Sequence, residues 1–97
     1  MADRYESLDP VLSSQVRLAV VSILVKIKQA DFQTLLEGTE TTQGNMSQQL
    51  KKLADEGYIK IEKTYRNNYP YTVCTITPKG RKAFEKYVED VKKYLNL

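Results

Sequence analysis

Nine of the twelve positions from Val16 to Ile27 are apolar: Val16, Leu18, Ala19, Val20, Val21, Ile23, Leu24, Val25 and Ile27. Wound as a helix, they cover every side rather than one stripe, and a helix apolar all round is buried all round. A chain of 97 residues can hardly enclose such a helix unaided. A second subunit is therefore expected to cover part of it. Asp9-Pro10 predicts the start of this helix, since Asp caps free amides and Pro suits a first turn. The helix is expected to reach about Lys28, with a break near Ser13-Ser14.

Further along, Ala30-Asp31-Phe32 reads as a short extended piece, with Asp31 capping a second helix over Phe32–Glu37 that Gly38 ends. Leu35 and Leu36 point inward. Thr41 or Thr42 caps a third helix. In it Met46, Leu50 and Leu53 recur three and four residues apart and so share one buried face. The opposite face centres on Gln48, flanked by Gly44, Asn45, Lys51 and Lys52. Gly57 stops this helix. Two alternating runs follow, Tyr58–Lys63 and Tyr71–Thr77, with Ile59, Ile61, Cys74 and Ile76 inward. Thr64–Pro70 between them is the expected turn. Thr77-Pro78-Lys79-Gly80 repeats the cap-then-proline start. The last helix carries Phe84, Tyr87, Val88, Val91, Tyr94 and Leu95 at helical spacing, a stripe that either folds back on the core or packs on a partner.

Charge sharpens this picture. The net charge is only +3, but residues 41–82 hold eight bases against three acids, while residues 1–40 hold four bases against six acids. Positive charge thus gathers on the third helix and the hairpin, as a polyanionic partner requires. The chain has no histidine and one cysteine. That removes serine triads with a His base, Cys–His catalysis and His/Cys zinc clusters. No Gly-rich phosphate loop exists, and Asp55 and Glu56 project about 100° apart on a helix, so they form no acid–base pair. These absences argue against an enzyme, a metal site and a bound cofactor. Cys74 alternates into the core and is expected to be buried and inert, which fits a reducing, cytoplasmic setting. Leu18–Val25, the longest apolar stretch, is too short to span a bilayer.

What remains is double-stranded DNA. Gln43, Asn45, Gln48 and Gln49 carry both donors and acceptors and are the candidates for base edges in the major groove. Ser47, Lys51, Lys52 and Lys63 are candidates for phosphates. Arg66, with Asn67 and Asn68 at the turn, would form a wing reaching the adjacent minor groove. Each residue also has a plainer reading. Exposed glutamines are ordinary on a helix surface. Asn67-Asn68 suits a tight turn with or without DNA. Tyr65, Tyr69 and Tyr71 serve as cross-strand packing pairs as readily as base-stacking groups.

Gly44-Asn45-Met46-Ser47-Gln48-Gln49-Leu50-Lys51-Lys52-Leu53, then Gly57-Tyr58-Ile59, then Thr77-Pro78-Lys79-Gly80-Arg81, resembles the short winged helix-turn-helix transcriptional regulators related to the MarR and ArsR families. Leu8-Asp9-Pro10-Val11-Leu12 and Ala30-Asp31-Phe32 share the likeness. The resemblance implies a third helix in the major groove, a hairpin wing, and first and last helices that form a homodimer. Members often carry His or Arg at the place of Gln49 and a more basic wing. The metal-binding thiols of arsenical regulators are missing, so metal sensing is not implied.

Together these readings predict a mainly α protein with a small antiparallel β-hairpin (α+β), a winged helix with long N- and C-terminal dimerisation helices. Residues 1–97 are expected to form one domain, with its core over about 8–82 and a dimerisation helix over about 78–96. Val16, Val20, Leu24, Phe84, Tyr87, Val88, Val91, Tyr94 and Leu95 are the expected interface. The expected partners are double-stranded DNA and a second copy, with no membrane; the residues name no effector. The competing class is a winged helix that binds polypeptide. The charge split and the small polar front of the third helix weigh against it, since such a module would expose an apolar patch there.

Overall fold

Four short polar side chains fix where the helices begin. In the computed structural model, which describes residues 4–97, Ser14, Asp31, Thr42 and Thr77 each accept a hydrogen bond from a backbone N–H three residues on. These caps satisfy amides that a helix start leaves free. They open α1 (Gln15–Ile27), α2 (Phe32–Glu37), α3 (Gln43–Asp55) and α4 (Pro78–Leu95). Three strands, β1 (Gln29–Asp31), β2 (Ile59–Arg66) and β3 (Tyr69–Ile76), complete the order α1-β1-α2-α3-β2-β3-α4. This is the α+β winged helix that the pattern predicted.

Two boundaries differ from expectation, and one expected helix end has an unexpected conformation. Asp9-Pro10 does not start α1; Asp9 Oδ1 accepts from Val11 N at 2.9 Å and closes a turn that seats Leu12 in the core. Gly38 ends α2 with φ −82°, in the ordinary right-handed region. The hairpin strands run further than the alternation suggested. Arg66 pairs with Tyr69 across the two-residue turn Asn67-Asn68, whose φ values of 53° and 68° are those of a tight hairpin. Pro70 is tolerated in β3 because Tyr65↔Pro70 is the next pair out, where the backbone nitrogen faces away from β2. On that side β1 pairs only as far as Val73. The sheet order is β1-β3-β2, with both pairings antiparallel.

Leu12, Val20, Val21, Leu24, Leu35, Met46, Leu53 and Cys74 are the fully buried side chains. Burial pushes the Cys74 thiol up to about 11, so it stays protonated at neutral pH. The all-round apolar α1 is only partly enclosed: Val16, Leu18, Ile23 and Val25 are half-covered, and Ile27 is 53% exposed. Val20 and Leu24 are sealed inside the chain's own core, so neither offers surface to a partner, contrary to expectation. Along α4, Ala83, Phe84 and Tyr87 pack on the core, whereas Val88, Val91, Tyr94 and Leu95 extend beyond it. A segment from the other end of the chain reaches that half. Tyr5 lies on Tyr94 with ring centroids 5.1 Å apart, the Tyr94 hydroxyl donates to the Glu6 carbonyl, and Lys86 bonds both Glu6 and Asp90. The carboxylates of Asp90, first, and Glu6 hold the Lys86 ammonium well above its usual range.

One junction joins α3, the sheet and α4. Gly57, at φ 83°, ends α3 in a left-handed turn in which Tyr58 N donates to Leu53 O. Thr77 Oγ1 donates to the Gly57 carbonyl at 2.6 Å and accepts from Gly80 N at 3.0 Å. Gly80 sits so close that a Cβ there would lie 2.2 Å from the Tyr58 carbonyl oxygen. Gly80→Ala should therefore destabilise the protein by about 1–3 kcal/mol, as overpacking against backbone does. Gly44 has no neighbour within 4 Å of such an atom, so Gly44→Ala should stabilise by about 0.4–1 kcal/mol. Urea unfolding of both variants checks the pair, and equal effects would contradict the packing described.

Candidate nucleic-acid interface

Burying Met46, Leu50 and Leu53 fixes the rotation of α3 and so decides which residues it presents outward. Gln48 and Lys52 form the outermost row and are exposed. Gln43, Ser47 and Lys51, also exposed, form the edge facing the sheet. They line an open groove of about 700 Å³ between α3 and the hairpin, with Lys63 and Thr72 on its far wall and Phe32, Leu50, Ala54 and Ile61 among its apolar lining. Lys51 also pairs with Asp55 at 3.0 Å, an exposed i,i+4 contact of little energetic weight. The candidate phosphate-binding groups Ser47, Lys51 and Lys63 are thus brought together around one groove, and Lys52 stands clear of it on the outer row.

The other edge of α3 is engaged within the protein. Asn45 and Gln49 are half-buried and already bonded within the protein. The Gln49 amide donates to Asn45 Oδ1 at 3.0 Å, and the Asn45 amide donates to Thr41 Oγ1 at 2.6 Å. Gln49 Oε1 accepts in turn from the Arg17 guanidinium on α1, whose Nε donates to the Val11 carbonyl at 2.7 Å. Of the four base-reading candidates, only Gln43 and Gln48 project freely. Arg17 was missed by the sequence reading, although a signal existed: it is the one charged residue between Val16 and Val25. A lone charge in an apolar run needs a polar partner.

The wing is an exposed ribbon tipped by Asn67-Asn68. Arg66 folds back over Tyr71, with its guanidinium 5.4 Å from the ring centroid. The Thr34 backbone and hydroxyl donors, together with Tyr71 and the charge of Arg66, hold the Asp31 carboxyl below its usual range. Among the described residues no group of three or more His, Cys, Asp or Glu is placed to hold a metal ion. No described helix is long and apolar enough to cross a membrane.

Residues 16–95 match the family described as a winged helix DNA-binding domain. The chain belongs to this family. An uncharacterised protein of Methanocaldococcus jannaschii, MJ0432, is 31% identical over 81 residues, which span 84% of this chain and 88% of that one. A transcriptional regulator homologue from Pyrococcus horikoshii OT3 superposes with a TM-score of 0.82 at 24% identity, covering 89% of this chain and 85% of that one. A solved structure of MarR gives a TM-score of 0.75 at 14% identity, over 89% and 62% of the two chains. The winged helix DNA-binding family is not a family of enzymes.

Within this winged helix the two glutamines side by side on α3 are predicted to differ. Gln49→Ala strips the Arg17 guanidinium of a partner and should cost about 1–2 kcal/mol of stability. Gln48→Ala, fully at the surface, should stay within about 0.5 kcal/mol. Chemical denaturation of the two variants measures this difference directly.

Proposed function

We propose that this winged helix is a sequence-specific regulator of transcription that binds double-stranded DNA as a homodimer in the cytoplasm, its 97 residues acting as one domain. The observation that carries the reading is the outer face of α3. Gln43, Ser47, Gln48, Lys51 and Lys52 stand exposed on a helix locked to the core, beside a groove whose far wall carries Lys63. A helix of this kind fits the major groove, and a phosphate run fits beside it. Gln48 and Gln43, with Asn45 beside them, are assigned to base edges, and Ser47, Lys51, Lys52 and Lys63 to phosphates. The wing, Arg66 with Asn67 and Asn68, is assigned to the adjacent minor groove or backbone.

The homodimer is assigned to α4, whose Val88, Val91, Tyr94 and Leu95 continue past the core, together with the flanks of Phe84, Tyr87 and Val16 that the core leaves open. Obligate interfaces are apolar in this way. Sedimentation at micromolar concentration should give twice the chain mass, and Val91→Glu should give monomer. A wild-type monomer would remove the dimer and the expectation of palindromic operators.

Selection from a random duplex pool supplies the best operator for a binding test. Two copies of Lys51, Lys52, Lys63 and Arg66 should give a log–log salt slope of roughly −4 to −8. Gln48→Ala should cost about 1–3 kcal/mol on that operator and little on random duplex. Lys52→Ala should weaken both and flatten the slope. A slope near zero would favour the polypeptide-binding class of winged helix instead.

A further inference from the structure

We propose that Arg17, which lies outside α3, is a positioning residue for sequence reading: it sets the amide orientation of Asn45 through Gln49. The proposal rests on the DNA-binding reading above. An arginine offers only donors, so the carboxamide that meets it must turn its oxygen inward. Gln49 Oε1 does so. Its NH2 is then aimed at Asn45 Oδ1, 3.0 Å away, and the Asn45 NH2 at Thr41 Oγ1. Every amide in the row has one orientation, and the direction is fixed at the Arg17 end.

Arg17 is itself held from behind. Its Nε donates to the Val11 carbonyl in the turn that Asp9 closes, and the second Asp9 carboxylate oxygen accepts from the Tyr58 hydroxyl. Burial, then this bond, keeps the Tyr58 phenol protonated far above its usual range, so the anchor does not titrate near neutrality. Among the described residues no carboxylate pairs with Arg17. Its partners are a carbonyl and an amide, which orient it without cancelling its charge.

This arrangement leaves Asn45 one free N–H and one free lone pair on the edge of α3 beside Gln48. Those are the groups a bidentate contact with adenine requires, and they are presented in one sense only. Without Arg17 both carboxamides can rotate by half a turn, exchanging donor for acceptor. Positioning by a fixed neighbour of this kind governs specificity more than affinity.

Arg17→Lys keeps the charge but loses the planar fork, and Arg17→Met loses both. Gln49→Met breaks the row from the other side. All three should lower the ratio of affinities for selected operator over random duplex about tenfold, the size of one good base contact. Arg17→Lys should leave random-duplex affinity and the salt slope unchanged within about twofold. In the free protein the Asn45 side-chain NH2 resonances should shift in Arg17→Met and broaden toward those of an exposed amide. Unfolding midpoints measured alongside identify any variant that is not folded under the binding conditions. A full ratio in folded Arg17→Lys and Gln49→Met, with a discriminating wild type, would overturn the assignment. So would equal weakening on both duplexes, which would make Arg17 a phosphate contact. A wild type that binds both duplexes alike would instead fail the DNA-reading proposal, and the specificity role with it.

Discussion

The approach of Gly80 to the Tyr58 carbonyl sets the rest of the geometry. At that junction the end of α3, the start of β2 and the first turn of α4 meet within the span of one side chain. Thr77 holds them with a hydroxyl that both donates and accepts, while its own N–H donates to the Tyr58 carbonyl. Lys79 adds a bond from its ammonium to the Glu56 carbonyl. Since α3 is locked by Met46, Leu50 and Leu53, the junction transmits its orientation to the hairpin on one side and to α4 on the other. The distance from the outer face of α3 to the wing is thereby a property of backbone packing, with surface charge playing little part. A larger residue at position 80 would move all three elements together.

A second constraint acts on the polar front of α3. Five groups there stand exposed, whereas Asn45 and Gln49 form an internal row that ends at Arg17. The two edges of one helix therefore differ in kind. The edge facing the hairpin is cationic and open, suited to a phosphate backbone; the edge facing α1 is neutral and pre-ordered. Under the proposed function, such an asymmetry would divide gripping from reading on a single helix. Arg66, folded over Tyr71, adds a cation at the wing that is held against the sheet.

Most of the fold was legible because its signals are local. The caps at Asp31, Thr42 and Thr77 and the inward faces of α3 and the sheet each depend on residues within four positions of one another, and each stands where the spacing put it. The misread boundaries were contests between two local signals. Asp9-Pro10 resembles a helix start, but the turn that seats Leu12 in the core moves the start to Ser14, where only a break was expected. Pro70 looked like the end of a turn, yet an edge position on the outer half of β3 accepts it.

By itself the sequence determined the element types, the buried face of α3, the basic bias of residues 41–82 and the absence of histidine. Those follow from periodicity and residue type alone. Tertiary structure decided what depends on distance through space. It paired β1 with β3 and closed Val20 and Leu24 inside the chain's own core. It brought Tyr5 and Glu6 against the end of α4, and placed Arg17 beside Gln49, 32 positions away. A side chain's hydrogen-bonding capacity is written in its identity, but whether water, DNA or another side chain uses it depends on which neighbours folding supplies.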